Sequence, residues 1–484
     1  MRLAELAHGL VSTPAYADRE ISAITEDSRR ARRGSLFVAV PGTSLDGHAY
    51  VPDAVSRGAA AVVVERAGAV PPDVPFLRVP SARIALAELS ARLHRSPPVG
   101  LRLIGFTGTR GKTSTSEILR SLLDAGGSRT AVMGSLGARH RSFADAAGGL
   151  TTATPPDLHR CLRRLKDSGA DVVVLEVTSH ALKLQRLHGL TFAGGMIGAV
   201  VPGEHNASQR SYDDYVDATR LFLDYLANGA TLAYDADNRA SRLIGHKANV
   251  RIAAGVSLDA AGADVCLRDV LLDGSGATFT LGGSLTGASS PTRLRSSLLG
   301  RGHLRNVALA LTCAIAHGVS LDTVRDVLGS LRPLRRRMER YDILGRVVLD
   351  DAAGHPEDLG AAFDVARLLG ANSMVAICAL RGGRGADINR RNALALADLA
   401  SIHGVRHLII TASSDRTGEA DRVQPAEVDA ARQALVERGR RFVWHDSLAA
   451  AARDGMSRSG PGNLLLLLGA QGMDDGRSVL ESLD

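Results

Sequence analysis

Gly108, Thr109, Arg110, Gly111, Lys112, Thr113 and Ser114 follow one another in an order that can hold a phosphate chain. Glycines let backbone N–H groups approach phosphate oxygens, the Lys112 ammonium can bridge the terminal phosphates, and the Thr113 hydroxyl can ligate Mg²⁺. This chemistry needs a strand before the loop and a helix after it. The apolar run 103–106 reads as the buried strand, and 113–125 has helical periodicity. Counted back from Lys112, the usual first glycine of such a loop falls on Phe106, and Gly105 lies one place earlier. A Gly-rich turn that binds nothing is the alternative, and Gly-Lys-Thr in the right place argues against it.

Other residues offer complementary chemistry. The apolar strand expected over 171–177 carries Glu176 near its end, where nucleotide enzymes hold Mg²⁺; the alternative is a helix-capping or salt-bridged carboxylate. His205 follows the apolar run 195–201 and is either another metal ligand or a solvated loop residue. Asn306 either contacts a base or caps the Ala/Leu-rich helix expected to begin there. In the first hundred residues, Asp27-Ser28-Arg29 and Asp46-Gly47-His48 bring carboxylate, hydroxyl, guanidinium and imidazole groups to strand ends. Such residues serve equally as ligand contacts or as ordinary turn formers.

The elements that must position these groups alternate between strand and helix. Residues 1–97 form a small α/β module with strands at 35–40 and 61–64, a helix at 54–60 and a closing linker at 96–98. Residues 98–331 hold the phosphate loop, a helix starting near Asp157 after the polar turn 150–156, a helix over 212–225, a strand at 230–234 and a hairpin at Asp273 and Gly274. Residues 332–484 form a third α/β unit with strands at 345–349, 374–379, 407–411 and 464–468. After each of these four strands comes a polar loop: 350–356, 381–387, 413–416 and 469–474.

Composition narrows the options. With 45% hydrophobic and 23% charged residues, the 484-residue chain is globular and long enough for about three domains. A net charge of +7 with only 4% aromatic residues suits an anionic small substrate better than nucleic acid. The densest basic run, 332–340, has five arginines and falls at an expected domain junction. The four cysteines, Cys161, Cys266, Cys313 and Cys378, lack paired spacing, as expected for reduced core residues in a cytosolic protein. Glu5 and His8 interrupt any signal-peptide core, and no stretch is long enough to span a membrane, so the expectation is a cytoplasmic protein.

Taken together and in order, these pieces resemble the Mur ligases, most closely the UDP-N-acetylmuramoyl-tripeptide synthetases of the MurE type. The matching segments are Asp27-Ser28-Arg29, residues 36–42 with Asp46-Gly47-His48, Thr107 to Thr113, Thr151 to Pro155, Glu176 to Leu182, Gln185-Arg186, the Asn306 helix and Arg337-Met338-Glu339. The resemblance implies an α/β, three-domain architecture with a central P-loop ATPase domain and a C-terminal doubly wound α/β domain. It also implies an ATP- and Mg²⁺-dependent, ADP-forming ligase that activates a carboxylate of a UDP-MurNAc-peptide-type acceptor as an acyl phosphate and joins it to an amino acid or amine. Implied with it are a place in peptidoglycan biosynthesis, action as a monomer, and no nucleic-acid or membrane partner.

Carried over residue by residue, Lys112 and residues 108–114 handle the ATP phosphates, and Asn306 and Arg337 contact ATP. Thr113, Glu176 and His205 ligate Mg²⁺. Ser28, Arg29 and His48 lie near the uridine, and Thr151, Thr152, Ser179 and Arg186 near the diphosphate and sugar. The chain also departs from the family. Thr219 stands where MurE-type enzymes carry a carbamylated lysine, and Glu204-His205-Asn206 replaces Asp-His-Leu. In the last domain, Asp351-Ala352-Ala353-Gly354-His355-Pro356 replaces Asp-Tyr-Ala-His-Thr-Pro, 413–416 replaces Asp-Asn-Pro-Arg, and 469–474 replaces Gly-Lys-Gly-His-Glu. Two further readings therefore stand beside the first: a family paralogue in another pathway, such as a secondary-metabolite peptide ligase, and a nucleotide-binding protein with weak or no ligase activity.

Overall fold

The computed structural model describes residues 1–10, 18–42, 45–141, 143–145, 149–202, 211–260, 262–286, 291–370 and 373–483. The chain divides into two compact units. One comprises Met1–Arg268, Leu281–Pro291 and Asn306–Val327, and the other Asp269–Thr280, Thr292–Arg305 and Leu328–Asp484.

The first unit opens with α1 (Leu3–Ala7) and a four-stranded parallel sheet in the order β1 (Ala23–Thr25), β2 (Ser35–Val38), β3 (Ala61–Val64), β4 (Phe76–Arg78). Its two faces are separately covered because side chains alternate along each strand. Leu36 and Val38 pack with Leu86 and Leu89 of α3 (Ala82–His94), while Phe37 packs with Val51 and Ala54 of α2 (Val51–Ser56). Helix α2 sits earlier and is shorter than the expected 54–60. Pro52 occupies its first turn, where a missing N–H costs nothing, and Gly58 at φ 97° turns the chain out of it.

The phosphate-loop region follows, with β5 (Arg102–Thr107), α4 (Lys112–Ala125), β6 (Thr130–Gly134), β7 (Gly137–His140), β8 (Phe143–Asp145), α5 (Pro155–Asp167), β9 (Val172–Glu176), α6 (Ser179–Lys183) and β10 (Phe192–Ile197). After these come α7 (Tyr212–Arg220), β11 (Leu226–Asp235), α8 (Arg239–Gly245) and β12 (Ile252–Ser257). The strand order is β12-β11-β10-β5-β9-β6-β7-β8, parallel except at β7 and β8. Strand β5 is thus central, and register pairs Phe106 with Glu176. That pairing brings the end of β9 beside the loop that leaves β5.

Gly105 proves to be a packing glycine: a Cβ there would lie 2.5 Å from the ring of Phe222, which also fills the space beside Gly195. The helix expected over 212–225 stops at Arg220 and continues as a tighter 3₁₀ turn, Leu221–Tyr225, which holds Phe222 against the sheet. Helix α5 starts two residues before Asp157, with Pro155 and Pro156 in its first turn.

Next come β13 (Val265–Asp273), β14 (Gly276–Gly282), β15 (Thr292–Ser296), α9 (Gly300–Ala316) and α10 (Leu321–Leu328), and the division between units passes through β13, β14, α9 and the end of α10. Strands β13 and β14 flank the expected turn at Asp273 and Gly274. Helix α9 begins at Gly300, so Asn306 lies inside it and does not cap it. The glycines at 300 and 302 disguise this start, but apolar Leu304 and Val307 are already buried at helical spacing.

The second unit continues with β16 (Glu339–Ile343), β17 (Arg346–Asp351), α11 (Pro356–Leu368), β18 (Met374–Ala379), α12 (Ala386–Ile402), β19 (His407–Thr411), α13 (Pro425–Glu437), β20 (Val443–His445), α14 (Leu448–Arg458), β21 (Leu464–Leu468) and α15 (Gly476–Glu481). The sheet order is β16-β17-β21-β18-β19-β20, with β16 alone antiparallel. Ala376, Leu464 and Leu466 pack with Phe363 and Leu396 on one face, while Val375, Ile377 and Leu465 pack with Leu448 and Met456 on the other. Covering both faces makes the sheet doubly wound. The expected polar loops at 381–387, 413–416 and 469–474 begin beyond the C-terminal ends of β18, β19 and β21, whereas Asp350 and Asp351 of the loop expected at 350–356 belong to β17.

Candidate active site

The phosphate loop takes its shape from glycines with positive φ, Gly108 at 130° and Gly111 at 80°. Gly111 is the N-cap of α4, and a Cβ on it would overlap the amide of Asn306. Asn306, one of the expected nucleotide contacts, is therefore at the loop. Thr109 is fixed from three sides: its N–H donates to Ala199 O at 2.9 Å, its Oγ1 accepts from Val201 N at 2.9 Å, and its hydroxyl pairs with that of Tyr215 at 3.0 Å. Lys112 Nζ folds over the loop and donates to the carbonyls of Gly108 at 2.7 Å and Thr109 at 3.1 Å. Arg110 sits between Thr109 and Gly111, and Ser114 is buried in the first turn of α4.

Thr113 Oγ1 donates to Glu176 Oε2 at 3.1 Å. Glu176 is only 1% exposed, and its carboxylate also accepts from Ser135 N at 3.2 Å and Ser135 Oγ at 3.1 Å. Burial pushes its carboxyl above the ordinary range, opposed by the charge of Lys112 and the hydrogen bonds from Thr113 and Ser135. Gly134 is obligatory beside it, because a Cβ there would overlap the carboxylate. An acidic oxygen and a hydroxyl converging at a phosphate loop form a hard-oxygen donor set that fits Mg²⁺. Among the described residues, no group of three or more His, Cys, Asp or Glu side chains is placed to hold a metal. His205, with Glu204 and Asn206, lies outside the described residues.

Thr219 does not fit a carbamate. It is fully buried, its side chain has no amine, and its Oγ1 donates back to Tyr215 O at 2.9 Å.

Four expected substrate contacts gather around the end of β9. Thr151 Oγ1 pairs with Ser135 Oγ at 2.9 Å, and Thr152 Oγ1 donates to Glu176 O at 2.9 Å and accepts from Thr178 N at 3.0 Å. Arg186 Nη1 donates to Thr152 O at 2.8 Å, and Ser179 opens α6 with Thr178 as its cap. Burial lowers the pKa of the Arg186 guanidinium, which marks a cation held in a dry place.

In the N-terminal sheet, Asp27 and Asp46 are turn formers that accept from Arg29 N and His48 N, each at 3.0 Å. Ser28 is buried, and the Arg29 side chain is exposed and paired with Asp27 at 2.8 Å. His48 is buried and committed on both nitrogens: Nδ1 to Asp46 at 2.7 Å, and Nε2 to the N–H groups of Glu65 at 3.1 Å and Arg66 at 3.4 Å. Arg30, which the sequence does not single out, pairs with Asp157 at 2.9 Å and ties this turn to the start of α5.

In the second unit, Arg337 Nη1 donates to Arg336 O at 3.3 Å. The buried arginine there is Arg336, which pairs with Asp350 at 3.0 Å, with Asp474 and with the Gly469 carbonyl. The altered loops carry structural duties. Asp415 caps α14 through Leu448 N at 2.7 Å and Asp474 holds Arg336, while His355 stands at the N-cap position of α11 without a side-chain capping bond. Ser135, Tyr215 and Arg336 escape sequence reasoning. Ser135 alone leaves a trace, as a hydroxyl just past the end of a buried strand.

Comparison with known proteins accounts for this arrangement. Sequence signatures described as "Mur ligase family, catalytic domain", "Mur ligase middle domain" and "Mur ligase, glutamate ligase domain" match residues 20–94, 106–314 and 336–471. The chain is 33% identical over 493 residues to a UDP-N-acetylmuramyl-tripeptide synthetase of Roseiflexus sp. (strain RS-1), covering 97% of this chain and 94% of the relative. It is 30% identical over 413 residues to the UDP-N-acetylmuramoyl-L-alanyl-D-glutamate–2,6-diaminopimelate ligase of Bacillus licheniformis, covering 83% and 82%. A solved structure of a ligase with the latter name superposes with a TM-score of 0.67 at 21% identity, over 100% of this chain and 99% of that one. A relative matched from end to end at this identity, over the three signatures in order, makes this chain a member of the Mur ligase family.

Proposed function

We propose that this protein is an ATP-dependent ligase of the MurE kind, which joins an amino acid or amine to a carboxylate of a UDP-MurNAc-peptide-type acceptor. The observation that carries the reading is Glu176 at 3.1 Å from the Thr113 hydroxyl, beside a phosphate loop whose lysine lies over it. The names of the curated relatives supply the acceptor class. On this reading residues 1–97 take the nucleotide-sugar end of the acceptor, 98–331 take ATP, and 332–484 take the amine. The protein acts as a monomer in the cytoplasm, and among the described residues no helix is long and apolar enough to cross a membrane.

Each residue then has a task. Lys112 exchanges its loop carbonyls for phosphate oxygens, and residues 108–114 offer backbone N–H groups to the phosphates. Thr113 and Glu176, with His205, hold Mg²⁺, and Asn306 and Arg337 contact the nucleotide. Mg²⁺, when bound, neutralises charge on the terminal phosphates. Thr151, Thr152, Ser179 and Arg186 orient the acceptor's diphosphate and sugar, and Ser28, Arg29 and His48 frame the uridine. The acceptor carboxylate attacks the γ-phosphorus, giving an acyl phosphate and ADP; the amine attacks the acyl carbon, and phosphate leaves. Two anions meet in the first step, so Lys112 contributes chiefly by screening their repulsion.

A matrix of UDP-sugar-peptide acceptors and amino acids, with ATP and mass detection of products, tests the proposal. Amide product with equimolar ADP is expected from the wild type, and a loss of ligation to background from Lys112→Ala. Undiminished turnover in that variant would sink the assignment. A second reading, a paralogue that ligates other partners in another pathway, is favoured by the altered loops of the second unit and by Thr219. Product formed only with acceptors lacking a UDP-sugar would decide for it.

A further inference from the structure

The loop leaving β18 runs Arg381, Gly382, Gly383, Arg384, Gly385, with Gly383 and Gly385 at φ 70° and 88°. Glycine-rich backbone has little of its own to fix it. Here it is fixed from another element. Glu427, in the first turn of α13 and 3% exposed, reaches across so that Oε1 accepts from Arg384 N at 2.9 Å and Gly385 N at 2.7 Å. Its Oε2 accepts from Gly383 N at 3.3 Å and from Gln424 N at 2.9 Å. Burial on its own would push this carboxyl up, yet the backbone donors hold it below the ordinary carboxylate range. Gly382 completes the fit, because a side chain there would overlap the Arg422 carbonyl.

Three successive N–H groups leading into a helix make an anion nest. This one is filled by the protein's own carboxylate, so it is not a second phosphate site. The clamp instead fixes the position of the loop. That loop leaves the C-terminal end of β18 beside β21; it leads to α12 on one face, where Leu396 packs, and the loop after β21 leads to α15 on the other, where Leu480 packs, which makes this the switch point at which doubly wound sheets take ligands. The residues assigned to the phosphates, apart from Arg337, and those assigned to the acceptor all lie in the first unit, which leaves this edge for the remaining substrate.

We propose that Glu427 is a positioning residue for the amine-bearing substrate, holding the 381–385 loop in the conformation that receives it; this rests on the ligase reading above. Steady-state kinetics and amide hydrogen exchange on the full chain test it, in Glu427→Gln and Glu427→Ala. Glu437→Gln, at the far end of α13, which removes an exposed ion pair with Arg390 of α12, is the control. Losing a charge-assisted clamp should raise KM for the amine about tenfold or more in Glu427→Ala and less in Glu427→Gln. The kcat and the KM values for ATP and acceptor should stay within about twofold of wild type, and the amides of residues 383–385 should exchange faster. Faster exchange with an unchanged amine KM would overturn the proposal, as would a loss shared by all three substrates or reproduced by Glu437→Gln. Absence of ligation by the wild type would instead overturn the ligase reading beneath it, whatever the exchange data show.

Discussion

At the scale of single residues, Glu176 and Asp351 are both buried acids, and their surroundings give them opposite prospects. Glu176 has Thr113, Ser135 and the charge of Lys112 around it. Replacing it with Gln keeps its size and removes the anionic donor. Glu176→Gln is expected to weaken Mg²⁺ binding by about 2–3 kcal/mol, some 30- to 150-fold, with the thermal midpoint measured without metal nearly unchanged. Titration of Mg²⁺ in the presence of ADP reads this directly, and wild-type affinity would remove Glu176 from the metal site.

Asp351 accepts from Met338 N at 2.8 Å, and burial raises its pKa from 3.8 to about 7. Between those two values the folded carboxyl keeps a proton that the unfolded one has released. Stability therefore falls as pH rises through that window and stays low above it. The sole tryptophan, Trp444, lies in the same unit, so its fluorescence reports that unit's unfolding. Its midpoint should drop between about pH 4 and pH 7 in the wild type, while Asp351→Asn should flatten the profile and gain up to about 4 kcal/mol at the alkaline end. An unchanged profile in the variant would contradict this account of Asp351.

At the scale of elements, much was legible because burial writes itself into sequence period. The strands expected at 374–379, 407–411 and 464–468 coincide with β18, β19 and β21, since central parallel strands read as unbroken apolar runs. Edge strand β16, Glu-Arg-Tyr-Asp-Ile, was hidden because an edge tolerates charge. Strand β17 runs on into Asp350 and Asp351, two acids that read as loop until Arg336 and the Met338 N–H are seen to satisfy them.

Gly105 shows the same limit at the phosphate loop, where the residue next to the motif turned out to make room for Phe222, a partner far along the chain. A methyl group there would overpack the β5–β10 seam. Gly105→Ala is expected to destabilise the first unit by about 1–3 kcal/mol, measured by urea unfolding, and a neutral effect would mean that Phe222 can move aside.

At the scale of the whole molecule, the order of pieces along the chain carried the family, while the long-range partners within the site did not. Lys112 and Thr113 were legible because a strand, a Gly-rich turn and a helix follow one another directly, and Glu176 because an acid near the end of a buried apolar run stands out by itself. The Ser135–Glu176 and Tyr215–Thr109 bonds were not, because each joins residues that only the sheet order brings together.

The central claim is that the acceptor's carboxylate is activated by phosphoryl transfer from ATP at the loop that carries Lys112. The measurement that tests it most directly is the fate of the carboxylate oxygen. With an acceptor whose reacting carboxylate is labelled with oxygen-18, wild-type turnover should release phosphate carrying one labelled oxygen for each amide formed. Released phosphate free of label would contradict the acyl-phosphate route and the ligase assignment built on it.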